Sequence, residues 1–216
     1  MVMHNKTETS RRVFFKKSGV LVAGLAASPI ISLAASDTVQ PVEGLYIIGP
    51  REGYAPKIGT LLSTMTFMRA WIIGNVKDLS VAELDFQFDD KSNSIGALLM
   101  HLAAVERFFQ LNTFDEIEWG TWSKKIKKEW DVAKDLGEPA RKQIVGHSAD
   151  YYLSKLEDLR EVTQSEFAKR DDDWLLKEGP FFKDQPTNNH CKWFHACEHE
   201  SNHNGQISLI KKRFPV

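Results

Sequence analysis

Hydrophobic residues recur with a helical period in four long stretches of the chain. Between about residues 56 and 77 apolar side chains return every third or fourth position, and the same spacing is found in residues 94–112, 140–169 and 190–212. A shorter amphipathic segment lies at residues 124–136. No stretch alternates between apolar and polar residues as a half-buried strand does. The pattern predicts an all-α fold, a four-helix bundle.

Polar residues and helix breakers delimit these stretches. Residues 80–92 are mainly polar and are predicted to form a connection, and the charged residues 169–187 are predicted to return the chain to the last helix. Side chains that favour helix N-caps precede two of the helices: Ser92, Asn93 or Ser94 before the second, and Asn188 or Asn189 before the last.

The beginning of the chain has a different pattern. Arg11 and Arg12 are followed by Phe14, Phe15 and Lys16, and an apolar run then extends over residues 19–33 and ends in small residues. This order is typical of a twin-arginine export signal. We therefore expect a signal peptide at residues 1–36, cleaved within residues 34–36.

The remaining chain then divides into a linker at residues 37–54, which is rich in proline and glycine, and one domain at residues 55–216. A retained membrane anchor is the alternative to a cleaved signal, but the apolar run is short for a spanning helix. We expect a periplasmic or secreted protein with no stable membrane anchor after cleavage.

The composition of the chain limits the partners to be expected and the ways in which its cysteines can pair. The 216 residues carry a net charge of -1 and are 42% hydrophobic, which is ordinary for a globular protein and gives no reason to expect a nucleic-acid partner. Cys191 and Cys197 are the two cysteines. On one helix their Cα atoms would be about 9 Å apart, which is beyond disulfide reach. We expect free thiols, or a bridge only if Cys191 precedes the helix.

Two histidines near the end of the chain share one helical face. His199 and His203 are four residues apart in "HACEHESNHNGQ", on a stripe that is otherwise apolar. Burying two imidazoles is costly unless their ring nitrogens find partners. A shared cation takes one nitrogen from each ring, as in other helical metal sites. The alternative is that hydrogen bonds within the core satisfy both rings.

Two other histidines extend this pattern. His101 interrupts an apolar stripe on the second helix and by itself would be read as a core histidine. It becomes a ligand candidate because facing helices of a bundle are where metal sites are built. His195 is rotated away from the direction of His203, so it either lies at the rim of the pocket or beside a metal ligand, or is a partly exposed structural residue.

The acidic and aromatic residues near these histidines admit two readings. Glu106, Glu198 and Glu200 are expected to be solvated carboxylates, although Glu198 could instead orient a ligand histidine. Three tryptophans could line an apolar pocket, but core packing is the favoured reading: Trp119, Trp122 and Trp193.

The run S-I-x-x-L-L-x-H-L-A-x-x-E-R around His101 and the later H-x3-H-E-x2-H-x-G-Q motif resemble the DinB/YfiT-like family of metalloenzymes. The resemblance covers most of residues 55–212. It implies a four-helix bundle in which His101, His199 and His203 hold one divalent metal ion, zinc or nickel.

Three neutral histidines would leave coordination positions open, as in catalytic metal sites. We therefore expect an enzyme that acts on a small molecule, either a metal-dependent hydrolase or a thiol-dependent transferase. The alternative is a non-catalytic metal-binding or stress-related ligand-binding module. A homodimer is left open.

Overall fold

The computed structural model describes residues 40–182 and 185–215, and these residues are mostly helical. In chain order the helices are α1 (Pro56–Val76), α2 (Val81–Asp85), α3 (Ile95–Thr113), α4 (Lys124–Asp135), α5 (Gly137–Gln143), α6 (Ala149–Phe167), α7 (Asp172–Leu176) and α8 (Asn189–Lys211). Two strands, β1 (Glu178–Phe182) and β2 (Gln185–Asn188), pair antiparallel, with Glu178 opposite Asn188. The all-α expectation is confirmed in its coarse form, but the hairpin was not predicted.

The four long helices α1, α3, α6 and α8 contact one another around the core. Helix α3 lies against both α6 and α8, and α1 lies against α8. One hydrophobic cluster is centred on α3 and α6 and extends to α1, α4 and α8, with members that include Leu98, Leu102, Phe108, Tyr152 and Leu156. A second cluster joins α1 to the first half of α8, with members that include Ile58, Leu62, Met65, Phe167 and Trp193. Because α3 and α8 are neighbours, the histidines they carry can meet.

Residues 40–55 lie against the start of α1. The Gly49 backbone N–H donates to Ser63 Oγ at 3.1 Å. At Gly59, a Cβ would lie 2.5 Å from the Arg51 backbone nitrogen, so any larger residue would push this segment off the helix. The described part of the predicted linker is therefore fixed to the helical domain.

Two of the predicted boundaries are wrong, and local backbone chemistry explains both. The long helix predicted for residues 140–169 is divided into α5 and α6, because Gly146 adopts a left-handed φ of 79° and Ser148 then caps α6 by accepting from the Tyr151 N–H. The predicted connection at residues 80–92 contains α2, which begins with a capping box formed by Ser80 and Glu83.

Two predicted caps are confirmed. Ser94 Oγ accepts from the Ala97 N–H at the start of α3, and Asn188 Oδ1 accepts from the Cys191 N–H at the start of α8. The predicted export signal lies outside the described residues. Among the described helices, none combines the length and the apolar character that crossing a membrane requires.

Candidate metal centre

Three histidines from two helices meet at one point. His101 lies in the first half of α3, and His199 and His203 lie one turn apart on α8. The Nε2 atom of His199 is 2.8 Å from Nε2 of His101 and 3.0 Å from Nε2 of His203. Of the three rings, those of His101 and His203 are buried, and that of His199 is half-buried. The structure therefore brings together the residues that the sequence singled out, across 98 positions of the chain.

Second partners orient two of the rings. His101 Nδ1 lies 2.9 Å from the Ala133 carbonyl oxygen, and His203 Nδ1 lies 3.2 Å from Gln206 Oε1. A carbonyl oxygen only accepts hydrogen bonds, so each Nδ1 carries the proton and each Nε2 presents a lone pair to the centre. His199 Nε2 can donate at most one proton, and it faces two acceptors. A cation would satisfy all three nitrogens, so the donor set fits a bound metal ion.

The electrostatics of the site favour neutral rings. Burial lowers the pKa of His101, and burial together with the neighbouring imidazoles lowers the pKa of His199 to about 3 and that of His203 to about 4. All three rings are therefore neutral at pH 7. Neutral imidazole is the form that binds metal ions.

His195 lies at the rim of this centre. Its side chain is 39% exposed, and its Nδ1 is 3.0 Å from Glu198 Oε2. The His195 ring centroid is 5.3 Å from that of His199 and 6.1 Å from that of Phe109. Of the two readings of His195, the structure favours a group at the edge of the site, oriented by Glu198.

Glu106 and Glu200 are not solvated, and this expectation is wrong. Together with Arg69 and Arg160 they form a buried ion cluster that joins α1, α3, α6 and α8. Arg160 donates from Nε to Glu106 Oε1 at 2.9 Å and from Nη2 to Glu200 Oε1 at 2.8 Å. Arg69 Nη2 donates to Glu106 Oε2 at 2.8 Å and to Glu200 Oε1 at 2.6 Å. Helical spacing alone could not identify these partners, because each comes from a different helix.

The buried ion cluster also shifts the titration of Glu106. Burial by itself would raise the pKa of this carboxyl, but the charges of Arg160 and Arg69 outweigh burial and lower it to about 2. Glu106 is therefore ionised throughout the physiological range. The cluster contains two carboxylates and two guanidinium groups, so the charges balance inside the core.

Residues 199–203 read H-E-x-x-H, a motif in which the glutamate of zinc proteases acts as general base. Here both arginines of the buried ion cluster hold Glu200 Oε1. Within the described residues, the group of potential metal-ligand atoms lying within 4.8 Å of one another contains no carboxylate oxygen. Glu200 therefore stabilises the helix assembly behind the histidines.

The tryptophans divide between the core and the surroundings of the site. Trp193 is fully buried and donates from Nε1 to Thr113 Oγ1 at 3.1 Å, and Trp122 is also buried. Trp119 is more exposed and packs edge-on against Phe181, with ring centroids 4.8 Å apart. Core packing, the favoured reading, thus describes Trp122 and Trp193.

Both cysteines are free, as expected. Cys191 is exposed and Cys197 is buried. Both lie on α8, so neither sulfur can reach the other without unwinding the helix.

A mostly helical chain in which two helices bring three histidines to one point has the architecture of the DinB/YfiT-like proteins. Within that class the chain belongs to the mycothiol-S-transferase family, whose family model matches residues 60–214. The matched region contains the three histidines and the four members of the buried ion cluster. A search among curated proteins found no match.

Proposed function

We propose that the protein is a metal-dependent thiol transferase, which joins the sulfur of a low-molecular-weight thiol to an electrophilic carbon of a small substrate. The thiol loses its proton and the substrate loses its leaving group, which is chloride in monochlorobimane. The observation that carries the proposal is the convergence of the Nε2 atoms of His101, His199 and His203 in a chain of the mycothiol-S-transferase family. The family name makes mycothiol the first thiol to test. The four long helices then serve as a DinB-type four-helix bundle that holds the imidazoles in place.

The three histidines are the ligands proposed for one divalent ion. Imidazole suits both zinc and nickel, and three protein ligands leave positions for a substrate atom. When bound, such an ion supplies the positive charge that keeps a thiol in its nucleophilic thiolate form. The Ala133 carbonyl and the Gln206 side chain orient the rings of His101 and His203, so that their Nε2 atoms already point toward one centre.

A thiol that becomes a thiolate must lose its proton, and His195 is the acceptor we propose. Glu198 Oε2 lies 3.0 Å from His195 Nδ1, and a carboxylate beside a histidine stabilises the ring after it has taken up a proton. The partial exposure of His195 lets the proton pass on to water. His195 and Glu198 would thus remove the proton without occupying a metal ligand position.

The positions of the carboxylates favour thiol transfer over hydrolysis. A hydrolase with an H-E-x-x-H motif needs the glutamate as a base beside the metal. Glu200 is instead held in the buried ion cluster by Arg69 and Arg160. For thiol transfer, the proton acceptor that we propose is His195, so no carboxylate is required beside the metal.

The first experiment is elemental analysis of protein purified without a histidine tag. We expect close to one zinc or nickel ion per chain in the wild type and a loss of most of it in each single alanine variant of His101, His199 and His203. His147→Ala is the matched control, since His147 stacks on Tyr151 and is not part of the cluster. Near-stoichiometric metal in all three ligand variants would reject the site.

Turnover is tested with a panel of thiols, namely mycothiol, cysteine, coenzyme A and glutathione, and the electrophile monochlorobimane. We expect bimane conjugation to be accelerated with one thiol, and to fall at least 100-fold in His199→Ala but less than twofold in His147→Ala. Metal binding without acceleration for any thiol would reject the transferase and favour a non-catalytic metal-binding module.

We further propose export by the twin-arginine route, which places the protein in the periplasm or outside the cell. The support is the sequence itself, with Arg11 and Arg12 ahead of an apolar run that ends in small residues. Cell fractionation and N-terminal sequencing of the mature protein should find a new terminus within residues 34–37. Export that is unchanged after both arginines are replaced by lysine would contradict this route.

A further inference from the structure

A cavity lies at the start of α8, away from the three histidines, and is bounded by the end of α3 and by β1. It has a volume of about 380 Å³, and its lining includes Thr113, Gly179, Asn189 and Lys192. Three of these residues are buried: Thr113, Asn189 and Lys192. The volume suits one end of a small molecule.

Lys192 is the unusual member of this lining. The residue is only 4% exposed, and its Nζ lies close to Gly179, where a Cβ would be 3.7 Å away. Within residues 40–182 and 185–215, no hydrogen bond or ion pair joins this ammonium group to another side chain or to the backbone. Lysine is almost never fully buried without a partner, because an unpaired charge inside a protein is costly. Lys192 Nζ is not among the fully buried side-chain atoms that lack a partner, so the stem of the side chain is buried while its ammonium group faces the cavity. Within the described residues, this ammonium group has no anionic partner.

The charges around the cavity define which anion fits. Lys177 Nζ is 2.6 Å from Glu116 Oε1, so this exposed pair neutralises itself at the mouth. Glu118 and Glu178 are also exposed rim residues. The N-terminus of α8 adds a partial positive charge beside Lys192. One buried positive charge behind an acidic rim favours a single negative charge over a phosphate monoester, which carries nearly two.

We propose that this cavity binds the carboxylate group of a small molecule, with Lys192 Nζ as its ion-pair partner. Burial and the nearby Lys177 lower the pKa of Lys192, so a bound carboxylate would also favour the protonated amine.

The cavity also has a defined relation to the histidines. Lys192 and His199 are seven residues apart on α8, which is close to two helical turns, so they lie on one side of the helix and about 10 Å apart along its axis. The described lining of the cavity contains no histidine, so the proposed carboxylate site does not depend on the proposed function.

The test uses benzoate as the probe and benzamide as its neutral counterpart, titrated by calorimetry into the full-length metal-loaded protein. We expect benzoate to bind at least tenfold more tightly than benzamide, and Lys192→Met to weaken benzoate binding at least tenfold. Lys142→Met is the matched control, because it removes an exposed lysine that does not line the cavity, and it should change the affinity less than threefold. Methionine can occupy the place of the buried lysine stem, and the ammonium group has no partner within the described residues, so we expect Lys192→Met to fold.

Benzoate could also bind directly at the metal, and His199→Ala separates the two sites. We expect benzoate binding to persist in His199→Ala. Binding that is lost there but kept in Lys192→Met would overturn the carboxylate site and leave the proposed function intact. Binding that persists in a variant without metal or turnover would support the site even if the transferase proposal failed.

Three further results would overturn the proposal, and the first two do not depend on any variant. They are equal affinity for benzoate and benzamide, no benzoate binding at 20 mM, and benzoate binding that appears only in Asp184→Asn. The last would show that the partner of Lys192 is a carboxylate of the chain itself, at a position outside the described residues.

Discussion

Replacing Arg160 by methionine should unbalance the buried ion cluster and destabilise the protein strongly. Arg160 donates three hydrogen bonds to Glu106 and Glu200, at 2.8 to 3.3 Å. Methionine fills a similar volume but leaves two buried carboxylates with only Arg69 to balance them. The core would then carry one uncompensated negative charge.

The least costly way to neutralise that charge is to protonate one carboxyl group. With a reference pKa of 4.5 for glutamate, holding a proton on it at pH 7 costs about 3 kcal/mol, since each pH unit is worth about 1.4 kcal/mol. Lost charge-assisted hydrogen bonds add to this cost. We therefore expect Arg160→Met to lower the free energy of unfolding by about 3–5 kcal/mol, the range found when one partner of a buried ion pair is removed.

Urea unfolding of the metal-loaded protein measures this loss. Lys142→Met is the matched control, because it breaks the exposed Lys142–Glu138 pair and should leave the free energy of unfolding almost unchanged. Adding Glu200→Gln to Arg160→Met should recover about 1–3 kcal/mol, because it removes the excess negative charge. The second substitution is thus expected to stabilise the variant.

The pH dependence of the free energy of unfolding tests whether the excess negative charge causes this loss of stability. Folded Arg160→Met would bind one proton that the unfolded chain lacks between pH 5 and 7, so its stability should rise by up to about 1.4 kcal/mol per unit as the pH falls. The double variant should not show this extra slope. A loss below 1 kcal/mol for Arg160→Met, or a double variant less stable than Arg160→Met, would refute the reasoning.

Three other predictions concern acid stability, metal affinity and the thiols. The lowered pKa of Glu106 contributes about 3 kcal/mol of stability above pH 4.5, and this should be lost as the pH falls toward 2, as urea midpoints at each pH would show. Gln206→Leu leaves His203 Nδ1 without its acceptor and should weaken metal binding about 10–100-fold in a chelator competition, with unchanged affinity contradicting a role in orientation. Thiol titration should find two free cysteines, with Cys191 reacting much faster than Cys197, because burial and Glu200 raise the pKa of Cys197 to about 11; equal rates would contradict this.

Features that depend on neighbouring residues were predictable from the sequence. The four long apolar stretches correspond to helical regions, and Ser94 and Asn188 cap the helices they precede, because caps and helical faces are set within a few residues. The helical spacing of His199 and His203 likewise placed two imidazoles on one face of α8. The break before α6 was also visible in the sequence, because Gly146 and Ser148 are residues that favour a turn and a helix cap. The prediction of one continuous helix gave more weight to the apolar periodicity of residues 140–169.

The roles of the charged residues were decided by tertiary structure. Glu106 and Glu200 look like surface carboxylates when each helix is read alone, and they are buried because Arg69 and Arg160 approach from two other helices. The Ala133 carbonyl that orients His101 has no sequence signal, since every residue has a carbonyl group. Helical periodicity reports which face of a helix is buried but not what it meets. Whether a buried charge has a partner depends on which helices come together, and only the folded chain determines that.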